Sequence, residues 1–421
     1  MTDEIPLNKN RSAIAFLGAV FFVTYGLSIQ ATALGKQVFD LTRRDVDLGL
    51  LGLVEFLPAV LLVTVAGTVA DRVDRRKLVV AGMLAEGACS AVLWKLAHIG
   101  VTRIGAILAT VFAFGIARAF IAPALRAMPA NVVSARQLPR VIALNSTMWQ
   151  AALIAGPVTA GYLYPVSPAA PYVVTGGSCT LAALCIAQVM LRPTDQPGPT
   201  PGIDRGGFHA AFEGLRVIKG NPLLMGALSL DLFAVLFGGA LALLPAIADR
   251  QLGVGAEGLG WLRAAGGIGA ATVTIVLAVR PLRRRIGPLL FASVAVFGAS
   301  TIVLGNTHRF VVAFIAMIVL SGADAISVFI RATLGPLITP DNVRGRVLAV
   351  ENVFIGASNE LGAFESGVVG QLVGTSAAVT FGGFATVAVV LLWSVMFPGL
   401  RKIQTFPSHH RERHVEPDRT Q

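Results

Sequence analysis

Runs of about 20 mostly apolar residues recur along this 421-residue chain, separated by short segments that are charged or contain Pro and Gly. A run of that length is what an α-helix needs to cross the hydrocarbon core of a bilayer. The pattern predicts twelve membrane-spanning helices. Their approximate centres are Val23, Val60, Ala88, Ala113, Ile154, Ala182, Ala234, Ala271, Val294, Val319, Gly356 and Val387.

The composition excludes a soluble domain, because 55% of the residues are hydrophobic and only 14% are charged, against about 25% charged residues in soluble domains. The N-terminal MTDEIPLNKNR lacks a cleavage-site pattern, so we expect the first apolar run to remain in the membrane. Cys89, Cys179 and Cys185 all lie within predicted spans and form neither a disulfide framework nor a metal-ligand spacing.

The net charge of +11 raises the question of nucleic-acid binding, but the positions of the basic residues argue against it. Most Lys and Arg residues fall at the termini and in every second loop. Six lie on the other side of the predicted membrane, namely Lys36, Arg43, Arg44, Arg103, Arg250 and Arg309. By the positive-inside rule, both termini are predicted to be cytoplasmic, and the protein to lie in the cytoplasmic membrane.

The chain also repeats itself at a shift of 206 residues, which places RVIALN of 140–145 over RVLAVE of 346–351. The same shift places Gly156 over Gly362 and Gly161 over Gly367. It predicts two halves of six helices each, joined by a Pro- and Gly-rich stretch and an amphipathic helix, FHAAFEGLRVIK, on the inner membrane surface. The predicted divisions are an N-terminal half (1–192), a cytoplasmic central loop (193–221), a C-terminal half (222–400) and a polar cytoplasmic tail (401–421).

A charged stretch, GTVADRVDRR, joins the second and third predicted spans and resembles the signature loop of the major facilitator superfamily. The matching positions are Gly67, Asp71, Arg72, Arg75 and Arg76. Asp74 stands where the family usually has Gly. The resemblance implies that Asp71 is a conformational latch, close to a C-half helix and to Arg126 on the fourth span. From the residues alone, the basic cluster is equally explained as a topology signal.

The fifth span carries Gly156-Pro157 and Gly161, similar to a motif of antiporters in this superfamily, with Ala152 and Ala160 replacing two of the family's glycines. The resemblance covers the chain from the first span to Leu400. The segments 229–248 and 354–367 resemble the bacterial branch that includes macrolide efflux proteins and enterobactin (siderophore) exporters. The family implies an all-α membrane protein with two pseudo-symmetric six-helix halves, the major facilitator fold.

Charges at membrane depth are the candidates for function, because each costs roughly 2.5–3.5 kcal/mol on insertion scales. The predicted set is Glu55, Glu86, Arg118, Asp231, Asp324, Glu351, Glu360 and Glu365. In the family's arrangement, spans 4, 7 and 10 line the central cavity, and these carry Arg118, Asp231 and Asp324. Glu55 falls on span 2 and the last three acids fall on span 11, both of which border the other half.

Asp231 and Glu55 are the preferred proton carriers, because their flanks are apolar and burial lets a carboxyl group exchange protons near neutral pH. The further candidates are Asp324, Glu360 and Glu365. Three of these charges also have a structural interpretation that stays open. In these interpretations, Asp231 forms a buried pair with Arg118, Glu351 is a cytoplasmic end charge, and Glu86 pairs locally with Lys95 or extends to the surface.

The sequence thus predicts a monomeric secondary transporter that exports a small amphipathic molecule, a drug or a metabolite such as a siderophore, in exchange for protons. A Walker loop and the HExxH and GxSxG patterns are missing, so we expect no metal, no cofactor, no direct use of ATP and no catalysis. The alternatives are an importer of the same fold, a channel and a membrane-embedded enzyme.

Overall fold

The computed structural model describes residues 7–101, 103–191 and 207–407, and these residues form helices and no strand. Side chains are described for all of them except residues 8, 63, 64, 70, 71 and 207–212. The predictions for the rest of the central loop and for the tail from residue 408 lie outside the described residues.

Twelve long helical segments, numbered here as spans 1 to 12, follow one another along the chain. Their bounds are Arg11–Thr42, Asp45–Leu61 continued by Val63–Arg72, Arg75–His98, Ile104–Ala127, Leu138–Val166, Ala170–Ala187, Pro222–Phe237 continued irregularly to Gln251, Gly255–Val279, Ile286–Asn306, Phe310–Ile338, Arg344–Val373 and Thr375–Met396. A separate helix, Gly207–Gly220, precedes span 7 and coincides with the predicted amphipathic segment. The fold prediction is confirmed.

Ten of the described spans are each long and apolar enough to cross a membrane by themselves. The other two are span 2, which is interrupted at Leu62, and the more polar span 11. Span 2 contains Pro58, which removes a backbone donor and weakens the helix near that point. Spans 2 and 11 pack against each other across the two halves, so each has protein as well as lipid around it.

The two halves repeat the same packing. Span 1 packs on spans 5 and 6 as span 7 packs on spans 11 and 12, and span 3 packs on spans 4 and 6 as span 9 packs on spans 10 and 12. The halves meet through two further equivalent pairs, span 5 with span 8 and span 2 with span 11. The sequence repeat is therefore a structural repeat.

Glycines make the two contacts between the halves possible. A Cβ atom on Gly161 would lie 2.9 Å from the carbonyl oxygen of Ala256 and 3.2 Å from the Cα atom of Gly260 on span 8. A Cβ atom on the equivalent Gly367 would lie 2.9 Å from the carbonyl oxygen of Asp45 and 3.2 Å from the Cα atom of Gly49 on span 2. These positions leave no room for a side chain, so the backbones of the halves touch.

Polar side chains cap several of the spans. Asp74 caps span 3, because its carboxylate accepts hydrogen bonds from the backbone N–H groups of Arg76 (2.8 Å) and Lys77 (3.3 Å). Asn10 and Asn221 cap spans 1 and 7 in the same way. The departure from the family pattern at Asp74 therefore has a local function, since the carboxylate begins the next helix.

Gly49→Ala tests the contact between the halves. Its Cβ atom would lie 2.6 Å from the carbonyl oxygen of Ala363, so we expect overpacking to lower the free energy of unfolding by about 1–3 kcal/mol. Gly177→Ala is the matched control, since it is exposed within span 6, has open space around it and should gain about 0.5–1 kcal/mol. Thermal unfolding of the purified proteins measures both changes, and equal changes in the two variants would contradict the contact.

Candidate functional site

A cavity of about 480 Å³ lies between the two halves. Span 1 begins and span 12 ends on one face of the bundle, here called the termini face, and the loops between spans 1 and 2 and between spans 7 and 8 lie on the opposite face. The cavity lies between spans 2, 4 and 11. Its lining residues are Glu55, Phe56, Ala59, Val60, Ala66, Gly67, Gly115, Arg118, Ala119, Ala122, Pro123, Arg126, Asn352, Val353 and Glu360.

The lining extends from the middle of the bundle to the termini face. Glu55 lies about ten residues into span 2, whereas Gly67 lies close to its end on the termini face. Arg126 occupies the matching end of span 4. Phe, Ala, Val and Pro side chains make up most of the wall, and the charged groups are few. Such a cavity suits a molecule with both apolar and polar parts.

Arg118 and two acids form the charged part of this cavity. The Arg118 Nε atom lies 4.0 Å from Glu55 Oε1, and both side chains are partly exposed to the cavity. Glu360 extends from span 11 to the backbone of Gly52 on span 2, so its carboxylate also lies at the contact between the halves. The sequence named all three charged residues, and the structure brings them together.

A second charged cluster is buried in the C-terminal half. The Arg331 Nη2 atom lies 2.6 Å from Asp231 Oδ1, and the two side chains are 4% and 8% exposed. Arg331 Nε also donates to Ser327 Oγ at 3.4 Å. Asp324 and Ser327 line a water-sized cavity together with Asp231. The buried partner of Asp231 is therefore Arg331, and the interpretation that pairs it with Arg118 is wrong.

Three other acids lie elsewhere. Glu351 is 8% exposed and lies seven residues after the first residue of span 11, so its interpretation as a cytoplasmic end charge stays open. Glu86 is 1% exposed and lacks a hydrogen-bond partner at Oε2 in the described structure, whereas Lys95 is exposed, which contradicts the local pair. Glu365 contacts Ser366 and lies outside both cavities.

The signature loop lies at the termini face. Arg75 donates to Asn131 at 3.0 Å, and Arg76 donates to the carbonyl oxygen of Val189 at 3.4 Å, while Arg72 is exposed. A Cβ atom on Gly67 would have no neighbour within 4 Å, so this glycine faces open space. The side chain of Asp71 lies outside the described residues, so its predicted latch role stays a prediction.

The Gly156-Pro157 motif is part of the helix packing. A Cβ atom on Gly156 would lie 2.6 Å from the Cβ atom of Ser28 on span 1. The equivalent Gly362 makes the same kind of contact with Leu236 on span 7, at 2.7 Å from its carbonyl oxygen. Because both halves use a glycine here, close packing explains the glycines without an antiporter role.

An ion-pair network closes the opposite face, and the sequence pattern did not predict it. Its members, here called the opposite-face network, are Lys36, Asp40, Arg43 and Asp45 of the N-terminal half and Asp249 and Arg250 of the C-terminal half. Lys36 contacts Asp40 and lies 3.5 Å from Asp249, which Arg43 also contacts. Arg250 lies 2.8 Å from the fully buried Asp45 and 4.8 Å above the ring of Phe39. The halves are therefore joined on one face and separated by a cavity on the other.

The model of a known protein family matches residues 5–419, almost the entire chain, and its description is "Transmembrane secretion effector". The chain belongs to this family. The family is a branch of the major facilitator superfamily, so the protein is a multi-pass membrane transporter. A comparison with curated protein sequences gives no match.

Solved structures of other transporters share the fold. A substituted form of the nucleoside transporter NupG has a TM-score of 0.71 at 11% identity, covering 91% of this chain and 99% of its own. A bacterial homologue of the human lysosomal transporter Spinster, inward-facing and unoccupied, has a TM-score of 0.70 at 14% identity, covering 93% and 97%. A D-xylose–proton symporter has a TM-score of 0.66 at 14% identity, covering 91% and 96%. At these identities, the likeness concerns the fold alone.

Two substitutions in the transporter separate the roles of the buried acids. Asp231→Asn removes the acid that pairs with Arg331, so the free energy of unfolding should fall by about 3–5 kcal/mol. Asp324→Asn removes an acid that forms no ion pair within the described residues, so the change should stay within about 1 kcal/mol. Thermal unfolding in detergent measures both. A larger loss for Asp324→Asn than for Asp231→Asn would contradict the observed pairing.

Proposed function

We propose that this transporter exports a small amphipathic molecule from the cytoplasm in exchange for protons. The observation that carries the proposal is the cluster of Asp231, Asp324 and Arg331. Two carboxyl groups beside one guanidinium group are neutral together only when one of them holds a proton. An uncompensated charge at membrane depth costs free energy, so we expect this cluster to bind one proton and to release it as its surroundings change.

The position of the cavity indicates which end state of the transport cycle the structure represents. The basic residues predict that the termini face is cytoplasmic, and the cavity lies towards that face while the opposite-face network closes the other. This conformation is open towards the cytoplasm, where an exporter binds its substrate and an importer releases it. The family description refers to secretion, and this supports export over import. The sequence-based location in the cytoplasmic membrane and the monomeric state belong to the same proposal.

One proton per cycle is enough to drive export against a gradient. A charge that moves through 100 mV releases about 2.3 kcal/mol, and one pH unit adds about 1.4 kcal/mol. Together these sustain a concentration ratio of roughly several hundredfold, since each 1.4 kcal/mol is a factor of ten. Asp231 and Asp324 are the first choice for the carrier, and Glu55 with Glu360 beside Arg118 is the second. Glu365 is the weakest candidate.

We expect the signature loop to act in the other end state of the cycle, in which the termini face is closed. Gly67 faces open space in the conformation described here, so a close approach of span 11 to this position has room to form. In that state Asp71 would contact the C-terminal half near Arg126 and hold the termini face closed. Proton-coupled import is the second candidate for direction, and the same cavity and clusters would serve it. An enzymatic role has no support from the family or the fold, which are those of transporters.

Coupling is tested with neutral substitutions in proteoliposomes, using a radiolabelled macrolide and a radiolabelled catecholate siderophore. Asp231→Asn and Asp324→Asn should each abolish proton-driven uphill transport but keep counterflow exchange, because a fixed neutral group mimics the protonated state. Asp341→Asn is the control, since this loop acid is 84% exposed. If both cluster variants transport uphill at the wild-type rate, the cluster is not the carrier.

The latch is tested by Asp71→Asn and Arg126→Ala. Each should reduce transport at least tenfold with unchanged membrane insertion, since the basic residues that set the topology remain. The double variant should lose less than the sum of the two effects, as expected for residues that interact. Arg136→Ala, at an exposed position in the connection between spans 4 and 5, is the control. Wild-type transport by Asp71→Asn would refute the latch.

A further inference from the structure

We infer that Arg263 binds an anionic group of the transported molecule, so that the substrate is an amphipathic anion. This inference rests on the proposed transport function and specifies its substrate class. Arg263 lies on span 8, eight residues after its first residue Gly255, and was not among the charges that the sequence analysis selected.

The guanidinium group lies where three spans meet. The Arg263 Nη2 atom is 3.4 Å from the position that a Cβ atom on Gly35 of span 1 would occupy, and Pro245 of the span 7 region lies 3.2 Å from the same position. Gly35 has no side chain, so the guanidinium group can approach span 1 closely. Arg263 thus lies at the contact between the two halves, next to the residue that precedes Lys36 of the opposite-face network.

Arg263 has no counter-charge within the described residues. Its Nε atom is buried and has no hydrogen-bond partner, and no described side chain forms an ion pair with it. The other basic side chains at depth differ, since Arg118 faces Glu55, Arg331 pairs with Asp231 and Lys36 pairs with Asp40. Asp249 and Asp45 of the opposite-face network contact Arg43 and Arg250 instead.

Span 7 is irregular beside Arg263. Its regular helix ends at Phe237, and short helical turns and a π-turn carry the chain through Pro245 to Gln251. Irregular backbone at membrane depth is tolerated where protein or a water-filled cavity surrounds it, and secondary transporters place their substrates beside such breaks. A guanidinium group offers several N–H donors in a planar fork that matches a carboxylate or a phosphate. An anionic group of the substrate therefore matches the geometry and charge of Arg263.

The first measurement is the stability of the full-length protein without ligand. A cation held at depth without a partner destabilises the empty protein, so Arg263→Met should raise the melting temperature by a few degrees, whereas Arg263→Lys should not. Arg283→Met, at an exposed loop position between spans 8 and 9, should leave it unchanged. A lower melting temperature for Arg263→Met would mean that Arg263 is structural and would overturn the inference.

The second measurement is equilibrium binding of 4-phenylbutyrate and 4-phenylbutanamide, which share a shape and differ in charge. The wild type should bind the carboxylate at least tenfold more tightly than the amide, Arg263→Met should lose this preference, and Arg263→Lys should keep part of it. Equal binding of the two probes, or a preference that survives Arg263→Met, would overturn the inference. Binding needs no proton gradient. If binding is charge-selective but proton-driven transport is missing, the proposed function alone is refuted. If proton-driven transport occurs but binding is not charge-selective, the role of Arg263 alone is refuted.

Discussion

Backbone contact between the two halves on the opposite face is the constraint on which the rest of the structure depends. Gly161 with Gly260 and Gly49 with Gly367 bring spans from the two halves into direct contact. A bilayer supplies little hydrophobic force between apolar helices, so close packing of small residues has to hold them together. The ion pairs of the opposite-face network lie at the same end, where Phe39 and Leu48 also pack into the core of the C-terminal half. With this end closed, the cavity lies towards the termini face.

The packing of the spans also determines which charged side chains meet. The two clusters of deep charges combine residues from spans that pack on one another, so Arg118 and Arg331 each have an acid as partner. The clusters around Arg118 and Arg331 each contain more acids than basic groups, and the excess negative charge favours proton binding. Arg263 is the opposite case, a cation that no described acid balances. The proposed cycle uses this difference, because a proton neutralises the carrier cluster and the substrate neutralises Arg263.

The number of spans, the two halves and the repeat follow from the sequence, because membrane helices depend on hydrophobic length and the repeat aligns residue by residue. The acids at depth were also predictable, and the structure places Asp231 close to Asp324 and Glu55 close to Glu360. Their basic partner in the C-terminal half was not predicted. Arg331 lies within an apolar run and so carried the same signal as the acids, but which side chains meet depends on how the spans pack.

Other features were beyond the sequence pattern for identifiable reasons. The break at Leu62 and the irregular end of span 7 do not interrupt the hydrophobic runs, so hydropathy gives no sign of them. The opposite-face network joins residues about 200 positions apart, such as Arg43 and Asp249, and only the closed arrangement of the halves brings them together. By the positive-inside rule, Lys36, Arg43 and Arg250 only belong to the minority of basic residues on the outer side, and that rule gives no sign that they form ion pairs.

The most direct test of alternation between the halves is a distance distribution measured by electron paramagnetic resonance across the opposite face. Spin labels would replace Arg103 and Asn306, exposed positions at the ends of spans 4 and 9, in a variant whose three native cysteines are serine. The account predicts one short distance in the resting protein and an additional, longer distance after Asp249→Asn, which removes the contacts of Asp249 with Lys36 and Arg43. A single distribution that Asp249→Asn leaves unchanged would contradict it.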